Sequence, residues 1–231
     1  MKKDFQFKEG EVLLFNKPLH WTSFQLVNKV RWLVKRQLNV KKIKVGHAGT
    51  LDPLANGLMI LCTGKKTKEI DQYQAAEKEY IGTLKLGATT PSYDGETAEN
   101  YFFATQHITE ELIKKTMLNF KGDLQQMPPI FSALKVGGKK MYESARKGQK
   151  VEIKPRSIQI KELEIISISL PYITFKVTCS KGTYIRSLAY DIGKALNSGA
   201  WLCKLQRIKI GEYKIENAID IKDFEEMMIS L

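Results

Sequence analysis

The stretch VGHAGTLDPLANGLMILCTGKKTK, at residues 45–68, decides how the fold is organised. Its first part, residues 45–57, contains three glycines, an Asp-Pro step and almost no hydrophobic periodicity, a pattern that predicts a loop. The apolar run at residues 58–62 predicts a buried strand. A loop with one carboxylate, that of Asp52, therefore leads directly into the predicted core.

The Asp52 carboxylate stands out because the next residue restricts the backbone that carries it. Pro53 disfavours the helical conformation of Asp52 and so limits the directions in which the carboxylate points. The loop glycines, Gly46, Gly49 and Gly57, let backbone and ligand approach closely. On this pattern alone, an ordinary turn is the main alternative to a functional loop.

The rest of the chain shows strand and helix patterns without regular alternation. Strands are predicted at residues 12–15, 79–86, 158–168, 172–179 and 202–210. Helices are predicted at residues 23–38, with Ser23 as N-cap, and at residues 109–120, 185–196 and 221–228. The polar stretch at residues 87–100 is expected to be an exposed connection. This mixture predicts an α+β fold with a mixed, mostly antiparallel sheet flanked by helices, in a single domain over residues 1–231.

Composition narrows the class of protein. The 37 Lys and Arg against 25 Asp and Glu give a formal charge of +12, which attracts polyanions, so nucleic acid is the first partner to consider. A basic soluble protein without such a partner is the alternative. The cysteines Cys62, Cys179 and Cys203 are far apart, include no CxxC pair, and argue against a disulfide framework or a zinc site. With no apolar leader and no apolar run of transmembrane length, a cytoplasmic location is expected.

Four segments resemble the motifs of one family, the TruB family of tRNA pseudouridine synthases. Residues 45–68 are similar to its catalytic loop, and Lys78-Glu79-Tyr80 with Leu86-Gly87 is similar to its tyrosine strand. QQMPPIFSALKVGGKKMYESARKG at residues 125–148 resembles its RNA-gripping loop, and CSKGTYIRSLAYDIG at residues 179–193 resembles its arginine segment. The four motifs stand in the family's order.

The resemblance implies the pseudouridine synthase fold and the conversion of uridine to pseudouridine in tRNA, at position 55 of the T loop, without a metal or organic cofactor. The catalytic residues it implies are Asp52, Tyr80 and Arg186. The residues it implies for binding the substrate are His47, Tyr184, Leu205, Asp94 and Lys135. Because a nucleotide inside folded RNA cannot reach a carboxylate in such a loop, base flipping is expected.

Elementary chemistry agrees with these roles and leaves the route open. Asp52 can attack C1′, stabilise positive charge there, or remove the C2′ proton; the resemblance favours proton removal. Arg186 is expected to pair with Asp52 and keep it ionised, with an ordinary surface arginine as the alternative. By resemblance, Tyr80 lies against the flipped uracil and His47 fills the space that this base leaves.

The loop at about residues 126–150 is predicted to bind phosphates. Its lysines and arginines outnumber its acids, and Gly137-Gly138 adds flexibility. Contacts of this kind give affinity with little sequence information. A solvated charge run is the alternative.

Two departures from the family pattern bear on these expectations. Thr90-Pro91-Ser92 stands where the family usually has Thr-Asp-Thr. Tyr93-Asp94 follows at the expected distance from Tyr80, and Asp94 is therefore carried over as the residue that orients the arginine segment. About twenty residues follow Gly211, so the C-terminal PUA domain of many relatives is expected to be absent. RNA contact is then expected to centre on the T arm of tRNA, in a monomer with no obligate protein partner.

The main alternative function is a non-catalytic RNA-binding or tRNA-folding protein on the same scaffold, for which a basic field and a basic loop suffice. The presence of Asp52, Tyr80 and Arg186 favours the enzyme, since a binder needs none of them. A glycoside hydrolase would need a second carboxylate near Asp52, and no candidate stands out in the sequence.

Overall fold

The computed structural model describes residues 5–132, 135–136, 139–140 and 154–229, with backbone alone for the two short middle ranges. Contacts divide the chain into two compact units. The first unit contains Met1–Tyr80 and Leu205–Leu231, and the second contains Ile81–Lys204.

The first unit holds most of the elements around the Asp52 loop. Its strands are β1 (Val12–Lys17), β2 (Val45–His47), β3 (Ala55–Thr63), the first residues of β4 (Lys78–Leu86), the end of β12 (Ala200–Ile210), β13 (Tyr213–Lys214) and β14 (Ile219–Asp220). Its helices are α1 (Ser23–Gln37), α2 (Ile70–Ala75), α5 (Ile221–Ile229) and two 3₁₀ helices, Gly64–Glu69 and Ile215–Asn217. The strands lie in the order β14–β1–β3–β12, with β2 paired to β3 and β13 to β12.

β3 is the centre of this unit because apolar residues cover both of its faces. Every residue from Leu58 to Thr63 is buried. It pairs antiparallel with β1 and parallel with β12, so it has neighbours on both sides. The predicted buried strand is confirmed, and it extends three residues further towards Asp52.

Helix α1 follows the predicted spacing but begins with a different cap. Thr22 and Gln25 form a capping box, in which the Thr22 hydroxyl accepts from the Gln25 amide and the Gln25 side chain accepts from the Thr22 amide. The prediction of Ser23 as N-cap is therefore wrong, because the Ser23 hydroxyl is engaged elsewhere. α1 has 15 residues, and no helix in the described part of the chain is long and apolar enough to cross a membrane.

The second unit is also mixed. Its strands are the rest of β4, β5 (Ala88–Thr89), β6 (Tyr101–Phe102), β7 (Gly122–Gln126), β8 (Lys135–Val136), β9 (Lys139–Lys140), β10 (Arg156–Ser169), β11 (Tyr172–Cys179) and the start of β12. Its helices are α3 (Glu110–Leu118) and α4 (Ile185–Ala195). The main strands lie in the order β4–β11–β10–β7, and β10 is antiparallel to both of its neighbours.

The predicted α+β class and mixed sheet are confirmed, and two local predictions are corrected. β2 and the start of β3 lie within residues 45–57, so only the middle of that stretch is a loop. Residues 87–100 are not simply exposed, since Thr90, Ser92 and Asp94 are buried. Their polar groups bond to one another, as where the Thr90 hydroxyl donates to the Asp94 carbonyl at 2.7 Å.

Gly57 is required where β3 meets β12. Its φ is +110°, and a Cβ there would lie 2.3 Å from the carbonyl oxygen of Arg207. Gly57→Ala is expected to lower the free energy of unfolding by about 3 kcal/mol or more in urea titrations. Gly122→Ala is the matched control, because φ is +98° there and nothing lies within 4 Å of the added carbon. Equal losses of about 1 kcal/mol in both variants would show that the contact with β12 is unimportant.

Candidate active site

The Asp52 loop is short and closed by a turn. The Ala55 amide donates to the Asp52 carbonyl at 3.1 Å, and Ala48 and Leu51 bury their side chains below the loop. Pro53 is exposed and Asp52 is half-buried. The loop therefore places the carboxylate at the edge of the first unit, on a backbone that is anchored on both sides.

Helix α1 and its preceding turn hold the middle of the loop. The Ser23 hydroxyl accepts from the Leu51 amide at 2.8 Å and donates to the Leu51 carbonyl at 2.9 Å. The His20 amide donates to the Pro53 carbonyl at 2.7 Å. Both residues that flank Asp52 are thus tied to the start of α1.

Arg207, on β12, holds the two ends of the loop. Its side chain is almost fully buried, at 1% exposure. Its Nε donates to the Leu58 carbonyl at 2.7 Å, and its Nη atoms donate to the carbonyls of Gly49 at 3.2 Å and Thr50 at 3.5 Å. We call this arrangement the Arg207 clamp. A planar guanidinium suits it, because its donors are fixed in a fork.

Lys17, the last residue of β1, is a second buried cation near Asp52. Its side chain has 0% exposure, and Nζ donates to the carbonyls of Pro18 at 3.0 Å and Trp21 at 2.5 Å. Burial lowers the pKa of Lys17 to about 8; the negative charge of Asp52 opposes this shift and the positive charge of Arg207 adds to it. Asp52 and Arg207 thus both act electrostatically on the buried Lys17 amine, so the three charged groups lie near one another in the first unit.

Sequence reasoning missed Lys17 and Arg207 as parts of the site. In the sequence, Lys17 follows the predicted strand at residues 12–15 and Arg207 lies within the one at residues 202–210. For Lys17 the available signal was a lysine just after an apolar strand. The strand of Arg207 also contains Lys204 and Lys209, so nothing in the sequence singled Arg207 out.

His47 and Leu205 both lie beside the loop in the first unit. Burial lowers the pKa of His47, an effect that the Gly49 backbone opposes, so the imidazole is neutral near pH 7. Leu205 is in register with Ala55, the residue that closes the Asp52 turn, and is half-buried rather than fully packed. His47 and Leu205 therefore lie on strands that pair with β3, the strand that directly follows the Asp52 loop. Their roles stay predictions.

Tyr80 is the third residue of β4 and lies in the same unit as Asp52. Its side chain is buried, with 8% exposure. Alternate residues of β4, from Lys78 to Leu86, are buried, so Tyr80 belongs to the inward face of the strand. The predicted contact of its ring with uracil stays a prediction.

In the second unit, Arg186 and Asp94 form a buried ion pair. Nη1 of Arg186 lies 3.4 Å from Oδ2 of Asp94, and both side chains are nearly inaccessible to solvent. The guanidinium also donates to the carbonyls of Ser92 and Phe131, each at 3.0 Å. The geometry agrees with the expectation that Asp94 orients the arginine segment. The pairing of Arg186 with Asp52 stays a prediction.

Tyr184, just before α4, is tied to the start of the predicted RNA-gripping loop. The Gln126 side chain donates to the Tyr184 carbonyl at 3.0 Å and accepts from the Tyr184 amide at 2.8 Å. The Ser187 hydroxyl donates to the Met127 carbonyl at 2.8 Å. The Lys135 side chain and most of residues 133–153 lie outside the described residues. Across residues 5–132 and 154–229, no group of three or more His, Cys, Asp or Glu is placed to hold a metal ion.

Comparison with known proteins identifies the family. The model of the TruB family pseudouridylate synthase N-terminal domain matches residues 35–185. The tRNA pseudouridine synthase B of Phocaeicola vulgatus is 55% identical over 96% of this chain and 94% of its own length. That of Flavobacterium johnsoniae is 56% identical, over 96% and 98% of the two chains.

Solved structures agree on the fold. A chain of a Cbf5-Nop10-Gar1 complex superposes with a TM-score of 0.71 at 28% identity, covering 95% of this chain and 54% of that one. A chain of an H/ACA RNP bound to a substrate RNA containing 2′-deoxyuridine gives a TM-score of 0.68 at 26% identity, over 95% and 53%. The predicted pseudouridine synthase fold is confirmed. The chain belongs to the TruB family of pseudouridylate synthases.

The Arg207 clamp is testable through stability. Arg207→Met removes three hydrogen bonds to backbone carbonyls, one of them buried, and leaves a cavity in place of a buried side chain. It is expected to lower the free energy of unfolding by about 3 kcal/mol or more. Arg207→Lys is expected to recover only part of this, since one ammonium cannot reproduce the fork. Arg156→Met, at an exposed position, is the control and should change stability by no more than about 0.5 kcal/mol. If Arg207→Met were as stable as Arg156→Met, the Arg207 clamp would not hold the loop.

Lys17 predicts a pH dependence of stability. Below pH 8 the amine is protonated in both the folded and the unfolded chain; between pH 8 and 10.5 the unfolded chain binds more protons. Stability of the natural chain is therefore expected to rise with pH in that window relative to Lys17→Met, by at most about 3 kcal/mol. Urea unfolding at a series of pH values measures the difference. Parallel pH curves for the two proteins would contradict the lowered pKa.

Proposed function

We propose that this chain converts uridine to pseudouridine in tRNA, at position 55 of the T loop, with Asp52 as the essential catalytic residue and no metal or organic cofactor. The observation that carries the proposal is a half-buried Asp52 carboxylate, beside two buried cations, on a loop held at both ends and in the middle. Family membership and the tRNA pseudouridine synthases among its relatives support the reaction.

The reaction breaks the bond from uracil N1 to ribose C1′, rotates the base, and joins C5 to C1′. C5 then loses its proton to solvent and N1 takes one up, so the product is an isomer of the substrate. Nothing is oxidised or hydrolysed. An ionised Asp52 attacks C1′ or removes the C2′ proton, and the resemblance favours the second route. Either role needs a charged, accurately aimed carboxylate, which Lys17 and the Arg207 clamp support. Arg186 is proposed as its cationic partner during the reaction.

The substrate nucleotide is proposed to flip out of the T loop. Tyr80 then packs against the uracil, Tyr184 and Leu205 contact it, and His47 fills the vacated space. A neutral imidazole suits that position, because a base leaves an apolar stacking surface rather than a phosphate. Removing a nucleotide from a loop costs a few kcal/mol, less than from a duplex.

Binding is proposed to rest on the basic field of the chain and on the loop at residues 126–150, including Lys135, which contacts phosphates of the T arm. We propose that the chain acts as a single-domain cytoplasmic monomer without an obligate protein partner. Asp94 contributes indirectly, by orienting Arg186.

The test is release of tritium from tRNA that carries C5-tritiated uridine, in the presence of a chelator. The natural chain is expected to release tritium, and Asp52→Asn to lose at least roughly 100-fold in rate while binding tRNA normally. Asp71→Asn, at an exposed position of α2 in the same unit, is the matched control and should keep full activity. Equal tRNA binding without release by the natural chain would leave the non-catalytic RNA binder. Loss of release on adding chelator would refute the cofactor-free reaction.

A further inference from the structure

Charge is distributed unevenly over the first unit. Between residues 12 and 68 there are eleven Lys and Arg and a single acid, Asp52. Part of this charge is structural, as in the buried Lys17, or is balanced by neighbouring carboxylates, as in Lys66. The remainder is concentrated at the end of α1 and in the segment that follows it, at residues 41–44.

Several lysines elsewhere in the chain form ion pairs with neighbouring carboxylates. Lys65 pairs with Glu9, Lys66 with Glu69, and Lys114 with Glu110, at 2.5, 2.9 and 3.4 Å. Among the described residues, no acidic group lies within ion-pair distance of Arg36, Lys41, Lys42 or Lys44, and all four are exposed. We call these four residues the basic cluster. Its charge is therefore directed towards solvent without local compensation.

An exposed aromatic residue continues this cluster along α1. Trp32 is 50% exposed, with Nζ of Lys29 at 5.2 Å and the guanidinium carbon of Arg36 at 5.5 Å from its ring centroid. Lys29 also forms an ion pair with Glu225 of α5, which neutralises its positive charge where α1 contacts α5. Interleaved cations and an exposed indole are the residue types that contact phosphates and stack on bases in nucleic-acid surfaces.

Helix α1 begins beside the candidate active site and ends at the basic cluster. Ser23, the first residue of α1, is bonded to Leu51 beside Asp52. A helix of 15 residues is about 22 Å long. The basic cluster therefore stands roughly 20 Å from the reacting carboxylate, too far to touch the flipped nucleotide and well placed for the RNA around it.

We propose that the basic cluster, with Trp32, is a second RNA-contact surface, which binds the sugar-phosphate backbone of the tRNA substrate away from the target uridine. The inference rests on the proposed function, since it takes tRNA as the partner. It concerns residues other than those of the loop at residues 126–150. Contacts of this kind supply affinity and salt dependence without base specificity.

The test replaces Arg36, Lys41, Lys42 and Lys44 together with glutamine. The matched control replaces Lys8, Lys114, Lys214 and Lys222, which are also exposed and have acids next to them in sequence or space. Both variants lose four positive charges, so only the position of the charge differs. Affinity for fluorescent tRNA is measured by anisotropy at several salt concentrations.

The cluster variant is expected to bind tRNA roughly tenfold or more weakly. The slope of log affinity against log salt should become shallower by about 2 to 3, as for loss of three or four phosphate contacts. The control should bind within about twofold of the natural chain. At saturating tRNA the turnover rate of the cluster variant should be unchanged, because none of the four residues lies at the reacting atoms.

The outcomes separate this inference from the proposed function. Equal affinity and equal salt slope in the cluster and control variants would overturn the second surface, even if tritium release by the natural chain is normal. Weakened binding by the cluster variant alone, with no tritium release by the natural chain, would keep the surface and refute the enzyme. A fall in turnover at saturating tRNA with unchanged affinity would also overturn the assignment, by moving the cluster into the chemistry.

Discussion

The candidate site depends on one buried charge, the guanidinium of Arg207, bonded to backbone carbonyls at 49, 50 and 58. A buried charge is tolerated only where hydrogen bonds replace its water. Here the replacements are peptide oxygens on both sides of Asp52, which do not titrate. The hydrogen bonds of the clamp therefore do not depend on the protonation state of Asp52.

Two buried cations beside one carboxylate come at a cost to stability. Desolvation is the largest influence on Lys17 and lowers its pKa, while Asp52 only partly compensates. Functional sites commonly hold charges in arrangements that destabilise the fold locally. In this unit the two buried cations raise the positive electrostatic potential around Asp52.

Local sequence patterns were enough to predict the helices and strands and to single out Asp52, because both predictions depend on residues that are neighbours in the sequence. The alternation of β11 and the apolar run of β3 directly report which faces are buried. The Asp-Pro step marked the loop for the same reason. The roles of Tyr80, Arg186 and Asp94 came only from resemblance, since nothing local distinguishes them from ordinary strand, helix and loop residues.

The predictions that are wrong share a physical cause. They place polar groups in solvent or in contact with the nearest backbone, whereas the structure bonds them to distant or buried partners. Ser23 fitted an N-cap, yet its hydroxyl bonds Leu51, 28 residues away, and Thr22 supplies the cap. Residues 87–100 are predicted to be exposed because they are polar. In the structure their polar groups form hydrogen bonds with one another, so part of the stretch is buried. Arg207 bonds carbonyls about 150 residues earlier, and carbonyls leave no trace in a sequence.

Helix α1 connects the two functional features of the first unit. Its first residue bonds the loop beside Asp52, and its last turn begins the basic cluster. Leu26, Val30 and Val34 bury one face of the helix along its length, and a capping box fixes its first turn. The two ends of the helix therefore stay at a constant distance from each other. A backbone contact with RNA at the far end would then place the substrate at a set distance from the carboxylate. Such a contact would set the affinity and the register of the bound RNA without taking part at the reacting atoms.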